Sequence, residues 1–259
     1  MATDRAKRIA AVKRRIVPVS RADPYVKVLA FGPNGMGKTR FGATAPKPLL
    51  IDINEHGTRS VQDYPGVEVF HVDTWPDLVY AFWMLHDGNH KYESVVIDNL
   101  TTMQHLCMRH VLGEAADRDP NRDPAMPSRQ IWGKLAELMK PEILNFRNLP
   151  MHVVFLAQER VQEISDDDSD DGIVTTMHVP DLSPGSRGTA TGAVGVIGRI
   201  YRREVRATVR GKERSQWEPR MLVGPHESYV TKDRTGQLGR IIRNPTVPMI
   251  IAANNTRSK

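Results

Sequence analysis

Short apolar runs recur along the chain, each ending in a polar or glycine-rich stretch. "VKVLAF" (26–31), "PLLIDI" (48–53), "VEVFHV" (67–72), "ESVVIDNL" (93–100) and "MHVVFLAQ" (151–158) have the length of strands. Apolar runs without alternation predict strands buried on both faces. Segments of helical character lie between them. "KTRFGAT" opens a helix that Pro46 and Pro48 stop, "WPDLVYAFWMLHDG" (75–88) is helical with Gly88 past its end, and a helix follows Asp98 through Val111. After a polar loop over 113–127, Ser128 caps a long amphipathic helix, "RQIWGKLAELMKPEILNFRN", expected to kink at Pro141. Buried strands alternating with helices predict an α/β fold, a mostly parallel sheet with helices on both faces.

The pattern changes beyond Gln158. Residues 160–192 are polar, then acidic, then rich in Gly, Pro, Ser and Thr, which predicts a long mobile connection. From Arg199 the chain turns β-like in "RIYRREVRATVR", "WEPRMLVG" and "SYVTK", predicting a C-terminal antiparallel extension of the sheet. The expected organisation is a basic arm over 1–23 and one domain over 24–259.

Chemistry enters at "GPNGMGKT" (32–39), between the first apolar run and the first helix. It fills G-x-x-x-x-G-K-[ST], a P-loop, whose backbone N–H groups cradle phosphate oxygens. The cradle is expected to comprise Gly32, Pro33, Asn34, Gly35, Met36, Gly37, Lys38, Thr39 and Arg40. Lys38 would reach the β- and γ-phosphates of ATP, and the Thr39 hydroxyl would ligate Mg²⁺. A P-loop hydrolase needs a carboxylate for the metal's water shell, and Asp98 ends an apolar strand where such ligands sit. It also needs a group to orient or deprotonate the attacking water. Glu55, just beyond the second strand, is the expected base, with Asp52 as the fallback. Gln158, closing "MHVVFLAQ", is placed to sense the γ-phosphate.

Composition narrows the setting. Among 259 residues, 40% are hydrophobic and 25% charged, ordinary for a soluble globular chain. No apolar run approaches the ~20 residues of a membrane span, and the N-terminus lacks the apolar core of a secretory signal. One cysteine, Cys107, leaves no internal disulfide, so a cytoplasmic compartment is expected. The net charge of +6 suits a polyanionic partner. The arm concentrates it in Arg5, Lys7, Arg8, Lys13, Arg14, Arg15 and Arg21 against Asp4, while "SDDDSDD" (165–171) is the opposite extreme.

The ordered set "GPNGMGKT", "LLIDINEHG", "YESVVIDNLT", "LPMHVVFLAQER" and "YVTKDRTGQLGRIIRNPTVP" resembles the RecA-like recombinase core, over roughly residues 25–250. It is most similar to small phage-encoded RecA-like ATPases grouped with AAA-type ATPases, some of which are single-strand annealing recombination proteins. RecA-type proteins show a similar I-D-x-E-H stretch at the catalytic glutamate; this chain carries one additional residue before Glu55. "TKDRTG" resembles the K-x-R-x-G motif of the bacterial RadA branch, where the lysine and arginine reach a neighbour's γ-phosphate. The resemblance therefore implies a RecA-like P-loop NTPase core, Mg²⁺–ATP hydrolysis and single-stranded DNA as partner. It further implies a head-to-tail homo-oligomer, ring or filament, in which Lys232 and Arg234 act in trans. Residues 160–190 hold no Phe, Tyr or Trp for base stacking, and Asp166, Asp167, Asp168, Asp170 and Asp171 repel phosphate. DNA contact would then fall to "SPGSRGTATG" with Arg187, or to Arg199, Arg202, Arg203 and Arg206, leaving the acidic loop for a protein partner. A helicase-type motor and a nucleotide-switched binding module with slow hydrolysis share the same core as alternatives.

Overall fold

The computed structural model describes residues 2–18, 24–54, 57–119, 127–165, 174–209 and 212–256. Strand β1 (Lys27–Gly32) lies in the middle of the sheet. On one side it pairs in parallel with β5 (His152–Ser165), followed by β4 (Ser94–Asp98), β2 (Pro48–Asp52) and β3 (Glu68–His71). On the other side it pairs in parallel with β7 (Val196–Val209). The strand after Asp98 is thus inserted between the P-loop strand and the strand that carries Asp98. Antiparallel strands extend this core. β8 (Lys212–Leu222) and β10 (Ile241–Arg243) continue past β7, β9 (Lys232–Asp233) pairs with the start of β7, and β6 (Val174–Pro180) pairs with the outer half of β5.

The apolar runs are buried on both faces because successive side chains point to opposite sides. Leu29, Phe31, Ile51, Ile97 and Phe155 face one way. They pack with Leu78 of α3 (Trp75–His86), Met103 of α4 (Leu100–Arg118), and Ile143 and Phe146 of α5 (Arg129–Asn148). Val28, Ala30, Leu50, Val96 and Val154 face the other way, with Phe41 of α2 (Lys38–Ala43) and with Val247 and Ile250 of α7 (Val247–Thr256). This is the expected α/β architecture: a mostly parallel sheet, helices on both faces and an antiparallel C-terminal extension.

Several expectations are corrected. "VEVFHV" is not a buried strand. β3 is the outermost strand of the path, and its Val69 and Phe70 are 36% and 37% exposed. Among its described residues, the connection over 160–192 is mostly strand and helix. β5 runs on to Ser165 and returns as β6 in an antiparallel ladder, and "SPGSRGTATG" supplies most of helix α6 (Pro184–Ala193). An alternation of β-branched and polar residues suits such a two-stranded arm, whose polar positions read as loop when composition alone is weighed. All five aspartates of the acidic loop lie outside the described residues. Helix α4 continues past Val111 to Arg118. The basic arm contains α1 (Ala2–Arg15), with its described side chains exposed.

Candidate nucleotide site

The apolar run of β1 ends at Gly32, where the chain leaves the sheet. A Cβ at Gly32 would lie 2.3 Å from the carbonyl oxygen of Ile200 on β7, so no larger residue fits without moving a strand. Gly35 and Gly37 adopt φ of 75° and 100°, left-handed backbone that suits glycine. The loop then enters α2 at Lys38. A Gly-rich turn of this kind directs successive N–H groups into a concavity that accepts anions.

Lys38 is nearly buried and folds back over the loop. Its Nζ donates to the carbonyls of Gly32 and Pro33 and to Gln158 Oε1, each at 2.9 Å. Gln158 reaches this point because β5 is the neighbour of β1, with Gly32 and Gln158 directly opposite in the ladder. The Thr39 hydroxyl donates to Asp98 Oδ2 at 2.7 Å, and Asp98, at the end of β4, is 3% exposed. These groups line a cavity of about 370 Å³ together with Asn34, Gly35, Gly37 and Arg40. The sequence places Lys38, Thr39, Asp98 and Gln158 at three separate points of the chain, and the sheet order brings them together.

A second cavity of about 290 Å³ shares Gly37, Arg40 and Arg202 with the first. Its walls are more apolar: Met36, Phe41, Ile200, Pro219 and Pro245, with the ring of Tyr64. Arg40, expected in the cradle, sits at the junction. Its Nη2 donates to Asp63 Oδ2 at 2.8 Å, and its guanidinium lies 5.5 Å from the Tyr64 ring centroid. A phosphate-sized polar cavity beside an apolar one is the shape a nucleoside triphosphate requires.

The remaining expected residues fall in different places. Glu55 lies outside the described residues. Of its flanks, Asn54 has φ 57°, and a Cβ on Gly57 would meet Thr39 Oγ1 at 3.4 Å, so the 3-10 turn Gly57–Val61 abuts the P-loop threonine. Asp52, the fallback base, is not in the phosphate cavity. Its Oδ2 is 3.2 Å from His71 Nδ1, the residue opposite it on β3, and the two line a separate recess with Asn54 and Asp73.

Lys232 and Arg234 sit at the far end of the strands. The backbone N–H of Arg234 donates to Gly195, and Gly195 N–H to Lys27, five residues before Gly32. At ~3.3 Å per residue this is about 17 Å below the P-loop. Lys232 Nζ donates to the Thr191 carbonyl, and burial, then the adjacent Arg234 charge, push its ammonium pKa down.

The arginines read as DNA contacts divide. Arg199 is bound to Glu159 through Nε at 2.6 Å and Nη2 at 3.1 Å, and Glu159 also accepts from His178 Nδ1 at 2.8 Å. Burial would push the Glu159 carboxyl up, but Arg199 and His178 outweigh it and hold it below the ordinary range. Arg202 turns to the nucleotide site instead, while Arg203 and Arg206 are exposed. Arg187 on α6 is half-buried, and desolvation, then the Arg160 charge, push its pKa down against Asp181.

Sequence reading missed Gly57, Ser60, Tyr64 and Arg202 as site residues. No local motif marks them, since each arrives at the loop through the fold. Only the glycine of "NEHG" carried a signal, as a turn residue next to the expected base.

The sequence profile of a family described as an AAA domain, AAA_24, matches residues 25–235. Among solved structures, the chain is similar to a KaiC-like protein from the hyperthermophilic archaeon Pyrococcus horikoshii OT3. That likeness has 11% identity and a TM-score of 0.40, covering 85% of this chain and 89% of the other. No curated protein matches it.

Proposed function

The chain belongs to the AAA domain family AAA_24, and on that premise we propose that this RecA-like P-loop ATPase is a Mg²⁺–ATP-hydrolysing DNA recombination protein. In this reading it binds single-stranded DNA and promotes annealing or strand exchange as a head-to-tail oligomer. The observation that carries the ATPase part is the joining of Lys38 to Gln158 and of Thr39 to Asp98 within one cavity.

Each group has a role there. The loop N–H groups and Lys38 hold the phosphates, and Gln158 accepts from Lys38 where a γ-phosphate would compete for the same ammonium. Thr39 and Asp98 present hard oxygen donors 2.7 Å apart, a pairing that fits Mg²⁺, which takes one or two protein oxygens and fills its remaining positions with phosphate and water. When bound, the ion offsets phosphate charge. Glu55 would take the proton of the attacking water, and the apolar second cavity would receive the base.

The DNA part is supported by the resemblance in sequence, by the +6 net charge and by the exposed basic helix α1. The head-to-tail arrangement, ring or filament, is supported by Lys232 and Arg234, which lie too far from their own P-loop to serve it. A protein partner at the acidic loop 165–171 and a phage-encoded origin, with action in a bacterial cytoplasm, complete the reading. Among the described residues no helix is long and apolar enough to cross a membrane.

The test is the ATPase rate with and without single-stranded DNA, with particle mass measured alongside. Stimulation by DNA in an oligomeric particle is expected, with turnover abolished in Lys38→Ala. Glu55→Gln should bind ATP yet turn over slower by orders of magnitude. Turnover unchanged in Lys38→Ala would overturn the site, and a monomer indifferent to DNA would overturn the recombination role.

A further inference from the structure

Arg202 is a charged residue of the nucleotide site that neither the P-loop pattern nor its companions explain. It stands on β7, in the same subunit as the P-loop, three residues beyond Arg199, which is opposite Phe31 in the ladder with β1. As β1 turns away into the loop after Gly32, β7 continues upward beside it. The contact is close, since the Ile200 carbonyl occupies the space a Gly32 side chain would need. The guanidinium reaches over the loop. Its Nη2 is 4.0 Å from where a Cβ of Gly37 would stand, and the residue lines both the phosphate cavity and the apolar one.

Other arginines nearby are occupied. Arg199 is held by Glu159, Arg220 by Glu218 and Arg40 by Asp63. Among the described residues Arg202 has no hydrogen-bond or ion-pair partner. The residue opposite it on β8 is Pro219, which supplies no backbone N–H and no charge. An always-charged group with a fork of donors thus faces the boundary of two cavities, with no carboxylate to neutralise it. Lys38, Asp98 and Gln158 mark one end of the phosphate cavity, and the apolar cavity marks the other. Arg202 belongs to the junction.

Resting on the nucleotide-site reading above, we propose that Arg202 is a cis-acting phosphate ligand that grips the phosphates nearest the nucleoside, common to ATP and ADP. This differs from a γ-phosphate sensor, which would favour ATP alone, and from a DNA contact, which would leave nucleotide binding untouched.

The experiment is equilibrium titration of wild type, Arg202→Ala and Arg202→Lys with ATP and with ADP, each with Mg²⁺. A charge-assisted contact of this kind is worth roughly 10–100-fold in affinity. Arg202→Ala should weaken ATP and ADP by the same factor in that range, and Arg202→Lys should recover part of it. Because the side chain is exposed, an unchanged melting temperature without nucleotide is expected for both variants. Wild-type affinity in Arg202→Ala overturns the proposal, and so does a loss confined to ATP. If the wild type itself binds neither nucleotide, the reading of the site fails at the outset, and the inference with it.

Discussion

Replacing Glu159 by glutamine tests the ion cluster beside the site. Oε1 accepts from Arg199 Nη2 and His178 Nδ1, and Oε2 accepts from Arg199 Nε at 2.6 Å. Glutamine keeps the shape but has one acceptor oxygen and one donor nitrogen. In either orientation at least one donor of the cluster then faces another donor, and the Arg199 charge loses its counter-ion. The side chains are 7% and 16% exposed, so water replaces little of what is lost. Removing one partner of such a pair costs about 3 kcal/mol, between a single charged hydrogen bond and a fully buried pair. With a urea slope of about 3 kcal/mol/M the unfolding midpoint should fall by about 1 M. The double variant Glu159→Met, Arg199→Met removes both charges and should recover most of the loss. The pH dependence carries a definite sign. The folded carboxyl titrates below its ordinary value, so its contribution is present above that value and lost as pH falls through the depressed folded one. A cost under about 0.5 kcal/mol, the size of an exposed pair, would refute the argument.

Glu142 on α5 should behave in the opposite sense: it is 6% exposed, Oε1 has no partner among the described residues, and burial pushes its carboxyl up. Ionisation at neutral pH therefore costs stability, so Glu142→Gln should gain about 1 kcal/mol near pH 7, a gain that shrinks as pH falls through the raised folded pKa and is gone below about pH 4; an equal gain at pH 7 and pH 4 would count against it. Gly32→Ala places a Cβ 2.3 Å from the Ile200 carbonyl, so melting and nucleotide titration should show a loss of ~1–3 kcal/mol together with weaker binding, and wild-type values in both would refute the close approach. Lys38→Ala and Arg234→Ala should each be inactive alone and partly active when mixed, because a trans arginine can be worth roughly 10³–10⁵ in rate. Inactive mixtures of subunits that do co-assemble would end the shared-site idea.

The parts of the fold legible in the sequence were those where one physical demand dominates. "VKVLAF" and "MHVVFLAQ" are apolar apart from Lys27, His152 and Gln158 because their strands are covered on both faces, and that burial makes them readable as strands. The glycines at 35 and 37 show because left-handed backbone restricts the residue type. Asp98 shows because an acid ending an apolar strand is conspicuous. Val69 and Phe70 misled because an edge strand can carry apolar side chains without a cover. The arm of β5 and β6 was hidden for the reverse reason, since a two-stranded ladder in solvent tolerates a polar composition. Arg202 was legible only as a cation. Which anion it faces depends on β7 lying beside β1, a pairing between segments about 170 residues apart that no local pattern encodes.

The continuity of β5 has a mechanical consequence. The same strand carries Gln158, in contact with Lys38, and the outer half that pairs with β6. The Gln158 carbonyl accepts from Asp181 N–H, and its N–H donates to Thr101, whose hydroxyl donates to the Asp181 carbonyl. Those bonds make a fulcrum at the rim of the sheet. From Gln158 to Ser165 the strand extends seven residues, or about 23 Å, as a stiff beam. A tilt of about 5° at the fulcrum moves the far end by about 2 Å, at the usual rise of a strand. A tilt imposed on β5 at Gln158 would therefore reach the tip of the arm enlarged in proportion to the length of the beam.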